Sequence, residues 1–311
     1  MTAVLSRGRS DAPVRSVPGR PAPRRRPTVA PTWFLLPALV VYALVVLYPS
    51  LAGSVLAFTD RSGFDPGEWV GLANFEKLLR DDAARAALTN TVAVAVVITV
   101  VQTTLGLLLA LALNSAIRAR NLMRTLFFAP MMLSPIIVGL LWQYIYTPGG
   151  PLDSTLEGLG LGFLTRSWLG SDGALWAIVA SIIWHHVGIV MAIYLAGLQS
   201  IPPELTEAAQ VDGAGAVRRF WYVTRPLLGQ STTIVIALTL TASFKLFDQM
   251  FVMTGGGPGV STQTLSLVMY QQAFVYGEYG YGTAIALVLT MIVAAVVFVQ
   301  LSITRRGEHQ V

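Results

Sequence analysis

Two charged side chains, Lys245 and Asp248, stand three residues apart inside an otherwise apolar stretch, and His185 and His186 follow Trp184 in the middle of another. A charge in hydrocarbon costs roughly 2.5 to 3.5 kcal/mol on insertion scales, so such groups are expected to face a bundle interior or water. Residues three apart share a helix face, which lets Asp248, with Gln249 beside it, border a polar path and accept hydrogen bonds from hydroxyl groups. The competing reading pairs Asp248 with Lys245 or has it cap a broken helix end. A histidine pair in a membrane offers a proton relay. The simpler expectation is that one ring bonds a neighbouring helix while the other faces a cavity. Trp142, Tyr144, Tyr146 and Trp184 present faces on which a ring-shaped ligand could stack. Packed bundles and membrane interfaces also collect such residues, and packing is the preferred reading.

Other chemistries lack their residues. Cysteine is absent and there are three histidines, so no thiolate site and no metal centre is expected. No paired carboxylates or activated nucleophile converge, which leaves no catalytic residue to name and no cofactor to hold. The run Gly255-Gly256-Gly257-Pro258 lacks the lysine and hydroxyl that follow in a phosphate-binding loop, and reads as a turn. The net charge of +5 is not gathered into a basic stripe with interleaved aromatics, which argues against a nucleic-acid partner.

The elements that must position these residues are set by the solvent. With 54% hydrophobic and only 12% charged residues, the chain needs lipid rather than water around it. Six stretches reach the roughly 20 residues that cross a hydrocarbon core: 33–58, 88–113, 125–146, 174–199, 230–253 and 282–303. Runs of this length must be helices, since lipid offers the backbone no partners, and the predicted fold class is an all-α integral membrane protein of six transmembrane helices. Residues 1–32, rich in Arg, Pro and Ser, read as a disordered basic tail. The apolar run opening at Trp33 lacks the shape of a cleaved signal peptide, so the first span is expected to be retained. Placing both termini in the cytoplasm gathers the tail arginines with Arg118, Arg120, Arg124, Arg218, Arg219, Arg225, Arg305 and Arg306 inside, against Arg61, Lys77, Arg80, Arg85 and Arg166 outside. The transmembrane domain then covers 33–304 and a cytoplasmic C-terminus 305–311. Between the first two spans, Leu72, Phe75, Leu78 and Leu79 stand at helical spacing in a short amphipathic segment outside the membrane.

The connection 200–229 is the most informative. Pro202 and Pro203 suit the start of a helix, Glu204 and Glu207 its first turns, and Gly213 and Gly215 its end. A second short helix is expected from Ala216 to Val223, before Pro226. Here Glu207-Ala208-Ala209, Gly213, Val223, Thr224 and Pro226 resemble, in type and spacing, the EAA loop of ABC importer permeases. The resemblance assigns Glu207, Ala208, Ala209, Asp212, Gly213 and Pro226 to coupling with an ATPase; the family usually has leucine where this chain has Arg225. Gly71-Leu72, Asn74-Phe75, Asn90-Thr91, Phe247-Asp248, the Thr254 to Pro258 run, Thr262, Tyr270, Phe274 and Gly282 resemble the members that import oligosaccharides, polyols or glycerol-phosphate compounds.

That resemblance implies a MetI-like, type I importer permease of a bacterial cytoplasmic membrane. It also implies a second permease subunit, two ATPase subunits, an extracytoplasmic solute-binding protein and a sugar as partners, besides membrane lipid. No Walker motif occurs, so ATP would be hydrolysed by separate subunits and this chain would not be an enzyme. Independently of the resemblance, the polar and aromatic residues within the spans make Asp248, Gln249, Lys245, Trp184 and His185 the candidates for a substrate path. A proton-coupled secondary transporter is the alternative, and would need a pair of broken helices in matching halves, of which the sequence gives no clear sign. A membrane enzyme would need the convergent catalytic groups found wanting above.

Overall fold

The computed structural model describes residues 32–115 and 119–308; the expected basic tail, Arg118 and the last three residues lie outside the described residues. Among the described residues the chain is helical, with one isolated antiparallel bridge between Thr59 and Trp69 and no strand. It divides into two compact units, Met1–Tyr48 and Pro49–Val311.

In the first unit the described backbone is helical throughout, with side chains such as Leu39, Val41 and Leu44 exposed, as a lipid-facing surface requires. This is the opening part of helix α1 (Trp33–Leu56). Its turn Ala43–Leu47 is widened to a π turn in which the Tyr48 N–H donates to the Ala43 carbonyl. Pro49 follows, and a proline neither donates nor leaves room for the carbonyl four residues back, so the widened turn lets the helix continue past it.

In the second unit a short helix α2 (Ala73–Arg80) follows, where the buried Asn74 side chain donates to the carbonyls of Ala57 (2.9 Å) and Thr59 (2.8 Å). Helix α3 (Asp82–Asn114) has 33 residues, about 50 Å at 1.5 Å per residue. It starts ahead of the expected Leu88 because Asp81 caps it, its carboxylate accepting from the Ala83 and Ala84 amides.

Two expected spans are not continuous. In place of one helix over 125–146 stand α4 (Arg120–Met132) and α5 (Pro135–Ile145), bent by 101°. Pro130 and Pro135 lack amide hydrogens, and the residue before a proline avoids the helical region; Ser134 accordingly sits at φ −64°, ψ 140°. A short helix α6 (Pro151–Gly158) follows, then α7 (Ala174–Gln199). After the loop helices α8 (Pro203–Val211) and α9 (Ala216–Leu227), α10 (Gly229–Phe244) stops short of the expected Met253. Residues 245–247 leave the helix before α11 (Asp248–Thr254), with Phe247 at φ −136°, ψ −55°. No proline marks this break. Its freed Leu246 carbonyl accepts from Thr264 Oγ1 at 3.0 Å, so a distant hydroxyl makes it tolerable in lipid. The chain closes with α12 (Leu265–Val275) and α13 (Tyr279–Glu308). Among the described residues four helices are long and apolar enough to cross a membrane, or up to six if each bent pair is one span.

Glycines let the helices approach. A Cβ on Gly106 of α3 would lie 2.3 Å from Val190 of α7, and one on Gly188 of α7 would lie 2.2 Å from the Phe127 carbonyl oxygen. Around the first contact Ala110, Leu113, Tyr194, Leu198 and Leu228 form a buried cluster. Small residues at such crossings permit the backbone contact on which helix association in lipid relies. Gly188→Ala meets rigid backbone and is expected to lose about 1–3 kcal/mol of stability, a melting temperature lower by several degrees. Gly229→Ala, with nothing within 4 Å of the added carbon, should leave it unchanged. Thermal melts of the solubilised variants test this, equal shifts counting against the close approach.

Candidate functional site

The loop between α7 and α10 is a compact pair of helices. Helix α8 ends in a Schellman arrangement: the Gly213 N–H donates to the Gln210 carbonyl (3.0 Å) and the Ala214 N–H to the Ala209 carbonyl (2.9 Å). This needs a left-handed residue, and Gly213 sits at φ +77°. Gly215 does not end α8; it is the N-cap of α9. Helix α9 runs on to Leu227, beyond the expected Val223, through a π turn over Phe220–Thr224 that accommodates Pro226.

The loop's surface is apolar where water would favour polar groups. Val211 is 88% exposed, Val217 73% and Tyr222 77%. Glu207, Ala208, Asp212 and Pro226 are exposed and Ala209 half-buried. Arg225, the departure from the family pattern, lies with its guanidinium 4.9 Å from the Trp221 ring, so it packs as a cation on an aromatic face. The loop is rooted by Leu228, fully buried among Leu195, Leu198 and Val235, and α9 meets α10 at 68°.

Inside the spans the structure separates the residues that sequence spacing had grouped. Lys245 and Asp248 do not share a helix face, because the break at 245–247 runs between them. Both are exposed, and neither takes part in the ion pairs found among the described residues, which join Lys77 to Glu278, Arg80 to Glu76 and Arg85 to Asp82. Gln249, by contrast, is 2% exposed and His185 1%, and they meet each other. His185 Nε2 lies 3.2 Å from the Leu133 carbonyl oxygen and its Nδ1 3.3 Å from Gln249 Nε2. A carbonyl only accepts, so Nε2 carries the proton and Nδ1 accepts from the amide. The His186 ring lies 4.1 Å from that of His185, tilted by 53°, and lines a cavity of about 60 Å³ with Gln102, Thr239 and Ser243. Trp184 is exposed and sets its ring edge-on to Trp142 at 5.6 Å; Tyr146 is buried, its hydroxyl donating to the Ala177 carbonyl, and Tyr144 is exposed.

Sequence reasoning missed an aromatic cluster around Asp248. Phe247 and Phe251 stack at 5.2 Å and 13°, Tyr270 lies 5.0 and 5.4 Å from them, and Phe274 extends the row at 5.6 Å. The signal was the i, i+4 spacing of both pairs, which on a helix places Tyr270 and Phe274 on one face. Phe251 and Phe274 are exposed. An exposed carboxylate beside aromatic faces can bind a solute with hydroxyl groups on its edge and C–H groups on its face.

A family described as binding-protein-dependent transport system inner membrane components has a model that matches residues 102–306, which take in this loop, both breaks and the aromatic row. The chain belongs to that family. It is therefore a multi-pass membrane protein of a family of transport permease subunits, which are not themselves enzymes. It is 36% identical over 287 residues, 91% of its length and 98% of the relative's, to the probable ABC transporter permease protein YurN of Bacillus subtilis. To the multiple sugar-binding transport system permease protein MsmF of Streptococcus mutans it is 35% identical, over 88% of its length and 95% of the relative's. Its fold is that of type I ABC importer permeases. It matches, with a TM-score of 0.77 at 23% identity, over 88% of this chain and 95% of the other, a chain of a bacterial alginate ABC transporter solved in complex with an alginate pentasaccharide-bound periplasmic protein.

The Schellman closure makes a prediction. Gly213→Val forces a β-branched residue to positive φ, at a cost on the order of 1–2 kcal/mol. Hydrogen exchange of the Ala214 amide should then accelerate about tenfold, since 1.4 kcal/mol is a factor of ten in opening. Unchanged protection would show that the loop does not depend on this turn.

Proposed function

We propose that the chain is the transmembrane permease subunit of an ATP-driven importer that carries a sugar, of oligosaccharide, polyol or glycerol-phosphate type, across a bacterial cytoplasmic membrane. The observation that carries this reading is the loop of α8 and α9. It is a self-contained protrusion with exposed apolar side chains, tied by buried Leu228 to the helices of the spans. Exposed apolar surface on a small polar-side element marks a partner interface. Glu207, Ala208, Ala209, Asp212, Gly213 and Pro226 form the part that docks into an ATPase subunit. Two such subunits, a second permease and an extracytoplasmic solute-binding protein complete the assembly, and both termini face the cytoplasm.

The energetic logic is a two-state one. ATP-driven closure of the ATPase pair pulls the loops together and favours a cavity open to the binding protein; hydrolysis and release favour the inward-open state. Within this chain the pull passes from α9 through its bend into α10, which ends at Phe244, just before the break that leads to Asp248. Asp248 accepts hydrogen bonds from sugar hydroxyls, and Phe251, Phe274 and Trp184, all exposed, offer faces for the ring. Lys245 lies exposed at the same break and suits a phosphate-bearing cargo. The names of relatives that act on sugars support the cargo class.

Proteoliposomes holding the complete assembly test this. Labelled sugar should accumulate with ATP inside and the proton gradient collapsed, and accumulation that needs the gradient instead would favour a proton-coupled transporter. Asp248→Asn keeps the shape and removes the charge. The expected result is a fall in uptake of about tenfold, the scale of one lost charge-assisted hydrogen bond of roughly 1.5 kcal/mol. Normal uptake would take Asp248 off the path.

A further inference from the structure

His185 stands where the two interruptions of the spans meet. On one side its Nε2–H reaches Leu133, in the extended stretch between α4 and α5; on the other its Nδ1 accepts from Gln249, in the first turn of α11 beyond the break at 245–247. Both side chains are all but completely buried, so neither is open to a solute. The neighbouring contacts are backbone-close. Gly188, one turn along α7, touches the Phe127 and Phe128 backbone within α4, and Gly139 of α5 packs on Val252 and on the Gln249 backbone. A single rigid ring thus supplies the donor that the Leu133 carbonyl needs in hydrocarbon and the acceptor that holds α11.

We propose that His185 is a positioning residue that locks the α4/α5 break and α11 into one moving unit, so that a displacement of α11 carries the break with it. The inference rests on the importer reading given above. Its chemistry is steric and hydrogen-bonding: with both ring nitrogens engaged, the imidazole has no free site for a passing proton or sugar. Removing either link lets α11 move without the α4/α5 break. Energy then reaches the aromatic row and Asp248 but fails to open the path, and ATP is hydrolysed without transport.

The test uses the full assembly in proteoliposomes, reading maximal sugar uptake, its KM and binding-protein-stimulated ATP hydrolysis for wild type, His185→Leu, Gln249→Leu, the double variant and His185→Gln. Each single Leu variant should lower maximal uptake by about tenfold, with KM and ATP hydrolysis retained, and the double variant should be no worse than the weaker single, the non-additivity of residues in one hydrogen-bond network. His185→Gln, whose amide can stand in for Nε2–H toward Leu133, should recover part of the uptake. Should His185→Leu fail to assemble, Gln249→Leu, which leaves the Leu133 bond intact, still reads the coupling. Wild-type ratios of uptake to hydrolysis in the Leu variants would overturn the proposal, as would losses that multiply in the double variant. A raised KM with the ratio unchanged would make His185 a sugar contact instead. A wild-type assembly that takes up sugar without using ATP would sink the importer reading, and this inference with it.

Discussion

A backbone carbonyl or amide that leaves a helix inside hydrocarbon has no water to turn to, and among the described residues the α4/α5 break and the break at 245–247 are places where that happens. At each, one side chain from elsewhere supplies the missing donor: His185 for the Leu133 carbonyl and Thr264 for the Leu246 carbonyl. Without them the breaks would be costly, and α4, α5, α10 and α11 would be driven toward straight spans. The bend between α4 and α5, and the break at 245–247 that leaves Asp248 exposed, depend on these substitutions of side chain for solvent.

The same economy explains residues that mark the family resemblance. Asn74 ties α2 to the end of the preceding helix, Asn90 donates to the Ser261 and Gln263 carbonyls, and the Thr91 hydroxyl accepts from the Leu265 amide. Thr262, fully buried, bonds Thr254 and the Gly257 carbonyl, and Gly282 leaves room for the backbone of Ala273. These side chains hold turns against helix ends. Their types follow from backbone satisfaction and close approach, not from contact with a solute.

Hydrocarbon thickness dictates span length, so the helices of the spans were legible as apolar runs. The turn at Gly213 was legible because positive φ selects glycine. The break at 130–135 carried a proline signal, yet the apolar run across it is unbroken and reads as one helix. The break at 245–247 carried no local signal at all, since it depends on Thr264 nearly twenty residues away. The pairing of Lys245 with Asp248 failed for that reason, because helical spacing assumes the helix. Gln249 and His185 read as polar groups on a path and are instead bonded to each other, a contact that no spacing rule can give. The aromatic row was missed because aromatic residues in spans are usually packing.

In the proposed mechanism these breaks matter because they turn a push at the surface into a change of shape within the spans. The loop of α8 and α9 receives that push. The most direct measurement is cysteine crosslinking in the intact assembly, which the absence of native cysteine makes clean. A single cysteine at the exposed position of Val211 is expected to crosslink to an ATPase subunit, with a yield that changes between nucleotide-free and ATP-bound states. No crosslink to the ATPase in either state, from this position and from that of Val217, would contradict the account.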